Sequence, residues 1–202
     1  MALTLAARLH LYENNLIKAL NLLMQAPLES FTLHTHGGVP DWEREAGLAG
    51  SMKKAILIAC TVPLTTLRLS NLVNVDESLI TRVVHSNTLK ELALSNVTLR
   101  VCDDDVNLNL RPTTSQIERL DFRHVSYMQV LRTMGRPTFP TLPMPYPFIT
   151  FSRLCNLAIS GPWPDLETDT LWQFMLGVAD TLETLEIDEI KGEGNTFAAF
   201  FH

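Results

Sequence analysis

A chain of 202 residues with 46% apolar content, 19% charged content and a net charge of −6 has the composition of a folded protein, not a disordered one. The acidic balance weighs against nucleic acid as a partner, and the lack of any run of roughly 18 apolar residues argues against a membrane-spanning helix. The opening Met1-Ala2-Leu3-Thr4-Leu5-Ala6-Ala7-Arg8 lacks the basic start and apolar centre of a secretory leader, so an intracellular protein, cytoplasmic or nuclear, is expected.

In chain order, the first apolar triplet is a loose one, Ala6, Leu9 and Leu11. Asn14 or Asn15 can then cap a helix through Leu16, Ala19, Leu20, Leu23 and Met24, ended by Pro27. A second triplet follows at Leu28, Phe31 and Leu33. Asp41 precedes a helical stretch reaching about Ile58, with Gly47 and Gly50 inside it. Leu64, Leu67 and Leu69 form the first strong triplet, and Ser70-Asn71 reads as a strand exit into a turn. Asp76 caps a helix over Glu77 to His85, with Leu79, Ile80, Val83 and Val84 on one face. Leu89, Leu92 and Leu94 repeat the triplet and Ser95-Asn96 the exit, after which residues 99–116, with Asp103-Asp104-Asp105 and Pro112 in them, read as loop, either alone or with one turn of helix. The fifth triplet is Ile117, Leu120 and Phe122, and Ser126 opens a short helix through Leu131 and Met134. Residues 135–150 hold five prolines and only one glycine, a stiff extended insertion. Leu154, Leu157 and Ile159 resume the pattern, a helix from about Asp169 to Asp180 buries Leu171, Trp172, Met175, Leu176 and Val178, and Leu182, Leu185 and Ile187 close the series.

In each triplet the last two apolar residues alternate with polar ones, which is the period of a half-buried strand. One such strand cannot bury its apolar side alone, whereas stacked copies build a continuous core. Steps of 25 and 28 between triplets fall in or near the usual range of roughly 20–29 residues, and steps of 36 and 37 imply insertions. Helical repeats with leucines on one face are the alternative, and the Ser-Asn exits argue against them. The predicted fold class is α/β: a leucine-rich repeat solenoid, a right-handed horseshoe with parallel strands on its concave side and helices on its convex side. A single domain of about seven irregular repeats over residues 1–202 is expected, carrying its Pro-rich insertion as a loop.

The segments Leu64-Thr-Thr-Leu-Arg-Leu-Ser-Asn-Leu72, Leu89-Lys-Glu-Leu-Ala-Leu-Ser-Asn-Val97 and Leu182-Glu-Thr-Leu-Glu-Ile187, joined by irregular helical connections, resemble the repeat regions of fungal F-box-type proteins. The resemblance implies a repeat region that binds substrate for a cullin-based ubiquitin ligase, while an N-terminal F-box recruits a Skp-type adaptor. The Leu-Pro-x-Glu helix trio of an F-box does not precede Ala6, where the first triplet is placed, so a Skp-type adaptor is expected only through an F-box outside this chain.

Outward strand positions then define a candidate protein- or peptide-binding stripe: Tyr12, His34, Arg68, Glu91, Arg119, Asp121, Arg123, Asn156, Glu186 and Asp188. With Arg8 included it holds four arginines against four acids and no lysine, too balanced to track phosphates. Arg68, Arg119 and Arg123 can anchor a carboxylate-bearing partner; equally, Arg119 and Arg123 can flank Asp121 in a solvated ladder of charges.

Enzymatic and metal readings are weaker. His34-Thr35-His36 places two imidazoles together without a third ligand at suitable spacing. Cys102 stands beside three aspartates, whose charge raises a thiol pKa and blunts it as a nucleophile. No phosphate-binding, dinucleotide or nucleophile-elbow motif is present. Asp103-Asp104-Asp105 lacks the glycine and distal glutamate of a calcium loop. Cys60, Cys102 and Cys155 are expected as reduced thiols, Trp163 as a packing residue, and no enzyme activity or cofactor is expected.

Overall fold

In the computed structural model, residues 2–8, 28–36, 57, 62–100, 113–125, 149–161 and 174–188 are described. Among them the fold is α/β, with a seven-stranded sheet whose adjacent strands all run parallel. Its strands are β1 (Ala2–Arg8), β2 (Ser30–His36), β3 (Thr66–Asp76), β4 (Glu91–Arg100), β6 (Arg119–Arg123), β8 (Asn156–Ser160) and β9 (Thr184–Asp188), and they lie side by side in that order. A second, two-stranded parallel sheet joins β5 (Thr113–Ser115) to β7 (Ile149–Phe151).

The register of the main sheet runs without slippage through its central five positions. Phe31 stands opposite Leu67, Leu67 opposite Leu92, Leu92 opposite Leu120, Leu120 opposite Leu157, and Leu157 opposite Leu185. Two positions on, Leu33, Leu69, Leu94, Phe122 and Ile159 make a second row, each at most 1% exposed. The leading residues Leu28, Leu64, Leu89, Ile117 and Leu154 are buried in the same core. A one-residue slip would turn every apolar side chain to the polar face, so the burial itself enforces the pairing.

Backbone ladders fix the entry to each strand. The carbonyl of Lys90 accepts from the N–H groups of Glu118 (2.8 Å) and Arg119 (3.0 Å), and the carbonyl of Glu118 accepts from Cys155 and Asn156 in the same way (both 3.0 Å). Glu29, Thr65 and Cys155 repeat the device. Hydroxyls reinforce it one residue before the triplet, where Thr88 and Thr181 donate to the carbonyls of Leu64 (2.9 Å) and Leu154 (2.8 Å).

Strand exits need backbone that L-residues rarely adopt. Asn71, Asn96 and His124 follow the outward residues Ser70, Ser95 and Arg123 with φ of 58°, 53° and 52°, a region that Asn and His tolerate better than most side chains. In the next repeat the same place is taken by Gly161, with φ of 144°. A Cβ there would meet only ordinary contacts, His124 Cα being nearest at 3.6 Å; the constraint is torsional. Gly161→Ala is therefore expected to cost about 1–3 kcal/mol, read as a lowered denaturant midpoint with near-native circular dichroism.

After β3 the chain turns into α1 (Glu77–Val84). Leu79, Ile80, Val83 and Val84 are its buried face and Arg82 is exposed, with acidic Glu77 in the first turn and basic Arg82 in the last, as the helix dipole favours. The helix expected here thus forms, one residue shorter than Glu77–His85.

Several expectations are corrected. The first strand is Ala2–Arg8 and begins ahead of Ala6, the start of the loose triplet: Leu3 and Leu5 stand opposite Phe31 and Leu33, because Leu3-Thr4-Leu5 supplies the alternation on its own, while Leu9 and Leu11 lie outside the described residues. β3 and β4 continue past their Ser-Asn exits, pairing Leu72 with Val97 and, after an irregularity, Val75 with Leu99. Parts of the expected 99–116 loop are strand, since Leu99 and Arg100 end β4 and Thr113–Ser115 is β5. The expected Pro-rich insertion also gives up its last two residues, Ile149 and Thr150, to β7. Residues 174–178 are helical, but Phe174 and Val178 are the buried pair while Leu176 is 54% exposed. Positions i and i+4 share a helix face and i+2 does not. The buried Phe174 ring meets Phe151 edge-on at 5.6 Å.

The expected helices at 14–24 and 126–134, the one reaching about Ile58 except for Leu57, which is helical and exposed, Asp103 to Asp105, most of the Pro-rich segment, Trp163, Leu171, Trp172, and Cys60 and Cys102 lie outside the described residues. No helix among the described residues is long and apolar enough to cross a membrane.

Candidate interaction face

Alternation that sends Leu67 and Leu69 inward sends Thr66, Arg68 and Ser70 outward, and the shared register lines these positions up across the sheet. One outward row runs Ser30, Thr66, Glu91, Arg119, Asn156, Thr184. The middle row holds Thr32, Arg68, Ala93, Asp121, Ala158 and Glu186; the last holds His34, Ser70, Ser95, Arg123, Ser160 and Asp188. Nine of the ten residues expected on the stripe therefore share one face. The tenth, Tyr12, lies outside the described residues, and on β1 the exposed Ala2 and Thr4 stand opposite Ser30 and Thr32.

The charges on this face are joined into a chain. Arg68 holds Glu91 through Nε (3.0 Å) and Nη2 (2.8 Å), both on Oε1. Arg119 stands between two acids, 4.0 Å from Glu91 and 3.9 Å from Asp121. Arg123 donates from Nε to Asp121 Oδ1 at 2.9 Å, from Nη2 to both Glu186 oxygens at 3.2 and 3.3 Å, and from Nη1 to Asp188 Oδ2 at 3.5 Å. Three arginines thus meet four carboxylates, a local excess of one negative charge. On the row before, Lys90 pairs with Glu118 at 3.2 Å. Most of these groups are a third or more exposed, so individual pairs contribute on the order of 0–1 kcal/mol.

The Asp121 hydrogen bond is the main reason the Arg123 guanidinium titrates above its ordinary value, and the Asp121 charge adds to this; burial opposes them, and the charges of Glu186 and Asp188 contribute further in the upward direction. A raised cationic pKa stabilises the fold below the unfolded value and is lost only above the folded one. For arginine that window lies beyond any working pH, so Arg123 acts here as a fixed charge.

Asn156 donates from Nδ2 to Cys155 Sγ at 3.1 Å, and that thiol lies 3.3 Å from the carbonyl of Glu118. His34 is half-buried at the end of β2. Between His34 and His36, Thr35 is buried and donates from its hydroxyl to the Asn71 carbonyl at 2.6 Å. Among the described residues no three His, Cys, Asp or Glu side chains are grouped to hold a metal ion.

Amide side chains also join the strands where β3 and β4 leave the outward rows. Asn71 Nδ2 donates to the Thr35 carbonyl and Asn96 Nδ2 donates to Asn71 Oδ1, both at 2.9 Å, an amide ladder across β2, β3 and β4. The recurrence of Asn two residues after the last leucine in two repeats was the signal for it; Thr35, its third member, carries none.

Compared with family models, curated proteins and solved structures, the chain matches none.

Proposed function

We propose that this chain is a non-enzymatic protein-interaction module, a leucine-rich repeat solenoid of the right-handed α/β horseshoe kind that takes a protein or peptide ligand on its concave strand face. The observation that carries this reading is the alignment of Arg68, Glu91, Arg119 and Asp121 on consecutive strands of one sheet in one register. An array of rigid strands presents mixed charge at fixed spacing, which suits recognition of another polypeptide. Within this reading, the resemblance to fungal F-box-type proteins makes substrate recognition for a ubiquitin ligase the favoured biological setting, a Skp-type adaptor being engaged only if an F-box lies outside this chain. A second reading, a stand-alone structural or regulatory repeat protein, draws on the internal hydrogen bonds that already occupy Arg68 and Arg123.

Affinity capture from the source cell, followed by mass spectrometry, separates the two. Partners held by the native chain should fall at least about tenfold in recovery with Arg68→Glu/Arg119→Glu, as expected when interfacial charge pairs are reversed. Recovery that is the same for both chains, each showing native circular dichroism, defeats the interaction reading and leaves the structural one.

A further inference from the structure

β9 is attached to the sheet differently from the strands before it. Among the described residues it pairs with β8 on one side only. Its apolar row is less covered than those of β3, β4, β6 and β8: Ile187 is 42% exposed, where its register partner Ile159 is 1% exposed and Phe122, one strand further in, is 0% exposed. Backbone pairing and apolar burial therefore hold this strand less firmly than they hold β3, β4 or β6.

A third attachment reaches it from a strand that it does not touch. Arg123 stands on β6, and β8 lies between β6 and β9. Its guanidinium spans two strand spacings, roughly 10 Å, to reach Glu186 at 3.2 Å and Asp188 at 3.5 Å. Asp121, on its own strand, holds Nε at 2.9 Å and so aims the side chain along the row. The outward residues it must cross on β8 are small: Ala158 and Ser160 are 9% and 6% exposed, unusual for the outward side of a strand and consistent with a side chain lying over them.

We propose that Arg123 is a salt-sensitive clasp that fastens β9 to the sheet across β8, so that releasing it opens β9 as a unit ahead of the central strands. The bonds it makes to β9 are exposed ion pairs, and those are screened: the Debye length falls from roughly 10 Å at 0.1 M salt to about 3 Å at 1 M. β3 and β4 also carry an exposed pair, Arg68–Glu91, but their wholly buried leucines and their pairing on both sides hold them without it. An opened β9 leaves the far edge of β8 unpaired, and an unpaired edge is where a further strand can add.

Hydrogen exchange of the full chain, read by mass spectrometry in peptides covering β9 and in peptides covering β3 and β4, tests the clasp. Raising salt from about 0.05 M to about 1 M should speed exchange in β9 by roughly two- to fivefold with β3 and β4 unchanged. Arg123→Gln at low salt should reproduce that increase and abolish the response to salt. The double variant Glu186→Gln/Asp188→Asn should do the same, and adding Arg123→Gln to it should bring no further increase, since all three changes remove one interaction. Exchange in β9 that ignores salt in the native chain overturns the proposal. So do additive effects of the two sets of substitutions, or equal acceleration in β9, β3 and β4.

Discussion

Phe122→Ala is expected to lower stability by about 3–5 kcal/mol, at the top of the range for a single truncation in the sheet. The ring is wholly buried and sits in the second apolar row between Leu94 and Ile159, its register partners on either side. Strands cannot close on the gap, because their spacing is set by backbone bonds to both neighbours. The lost volume therefore stays as a cavity and adds to the lost transfer free energy. Phe122→Leu, which most other repeats carry at this place, should cost far less, about 1 kcal/mol. Urea unfolding monitored by circular dichroism measures both. A Phe122→Ala midpoint close to native would mean that the row does not form the core described above.

That row was legible before the structure because its information is local and repeated. Two-residue alternation names the buried side of a strand, and copies at comparable spacing name the neighbours, so the order of β2 to β9 in the main sheet and their register follow. β1 shows the converse: Leu3-Thr4-Leu5 has the alternation, while Ala6, Leu9 and Leu11 have the full triplet spacing, and only pairing to Phe31 and Leu33 decides between them. β5 and β7 were invisible. Thr-Thr-Ser and Ile-Thr-Phe are too short to show a period, and they exist as strands only through each other.

On the face itself, membership was readable and connectivity was not. Alternation places Arg68, Arg119, Asp121 and Arg123 outward, and the ladder flanking Asp121 was one of the two arrangements the residues allowed. That Arg123 passes its nearest neighbour strand and ends on Glu186 and Asp188 depends on Ala158 and Ser160 being small, a condition set 35 and more residues downstream. Long flexible side chains choose among several partners at similar cost, so sequence spacing alone does not rank them. The amide ladder shows the same division. Asn71 and Asn96 announce turns, yet what they bind is decided by stacking.

For Asn71 that stacking makes a sharp test. Asn71→Ala is expected to cost about 2–3 kcal/mol, from two separable sources. The first is hydrogen bonding: the side chain donates to the Thr35 carbonyl and accepts from Asn96, and each lost bond is worth about 1 kcal/mol. The second is torsional, because φ at Asn71 is 58° and alanine lacks the local tolerance of asparagine there, adding somewhat less than 1–2 kcal/mol. Asn71→Gly removes the torsional cost while still losing both bonds, so it should fall between the native chain and Asn71→Ala despite the greater freedom of glycine when unfolded. Asn96→Ala loses a single exposed bond and should cost about 1 kcal/mol besides its own torsional share. If Asn71→Gly were as stable as the native protein, the ladder would contribute nothing and the residue would be kept for its backbone alone. An Asn71→Gly midpoint as low as that of Asn71→Ala would instead place the whole effect in the bonds that tie β2, β3 and β4 together at their exits.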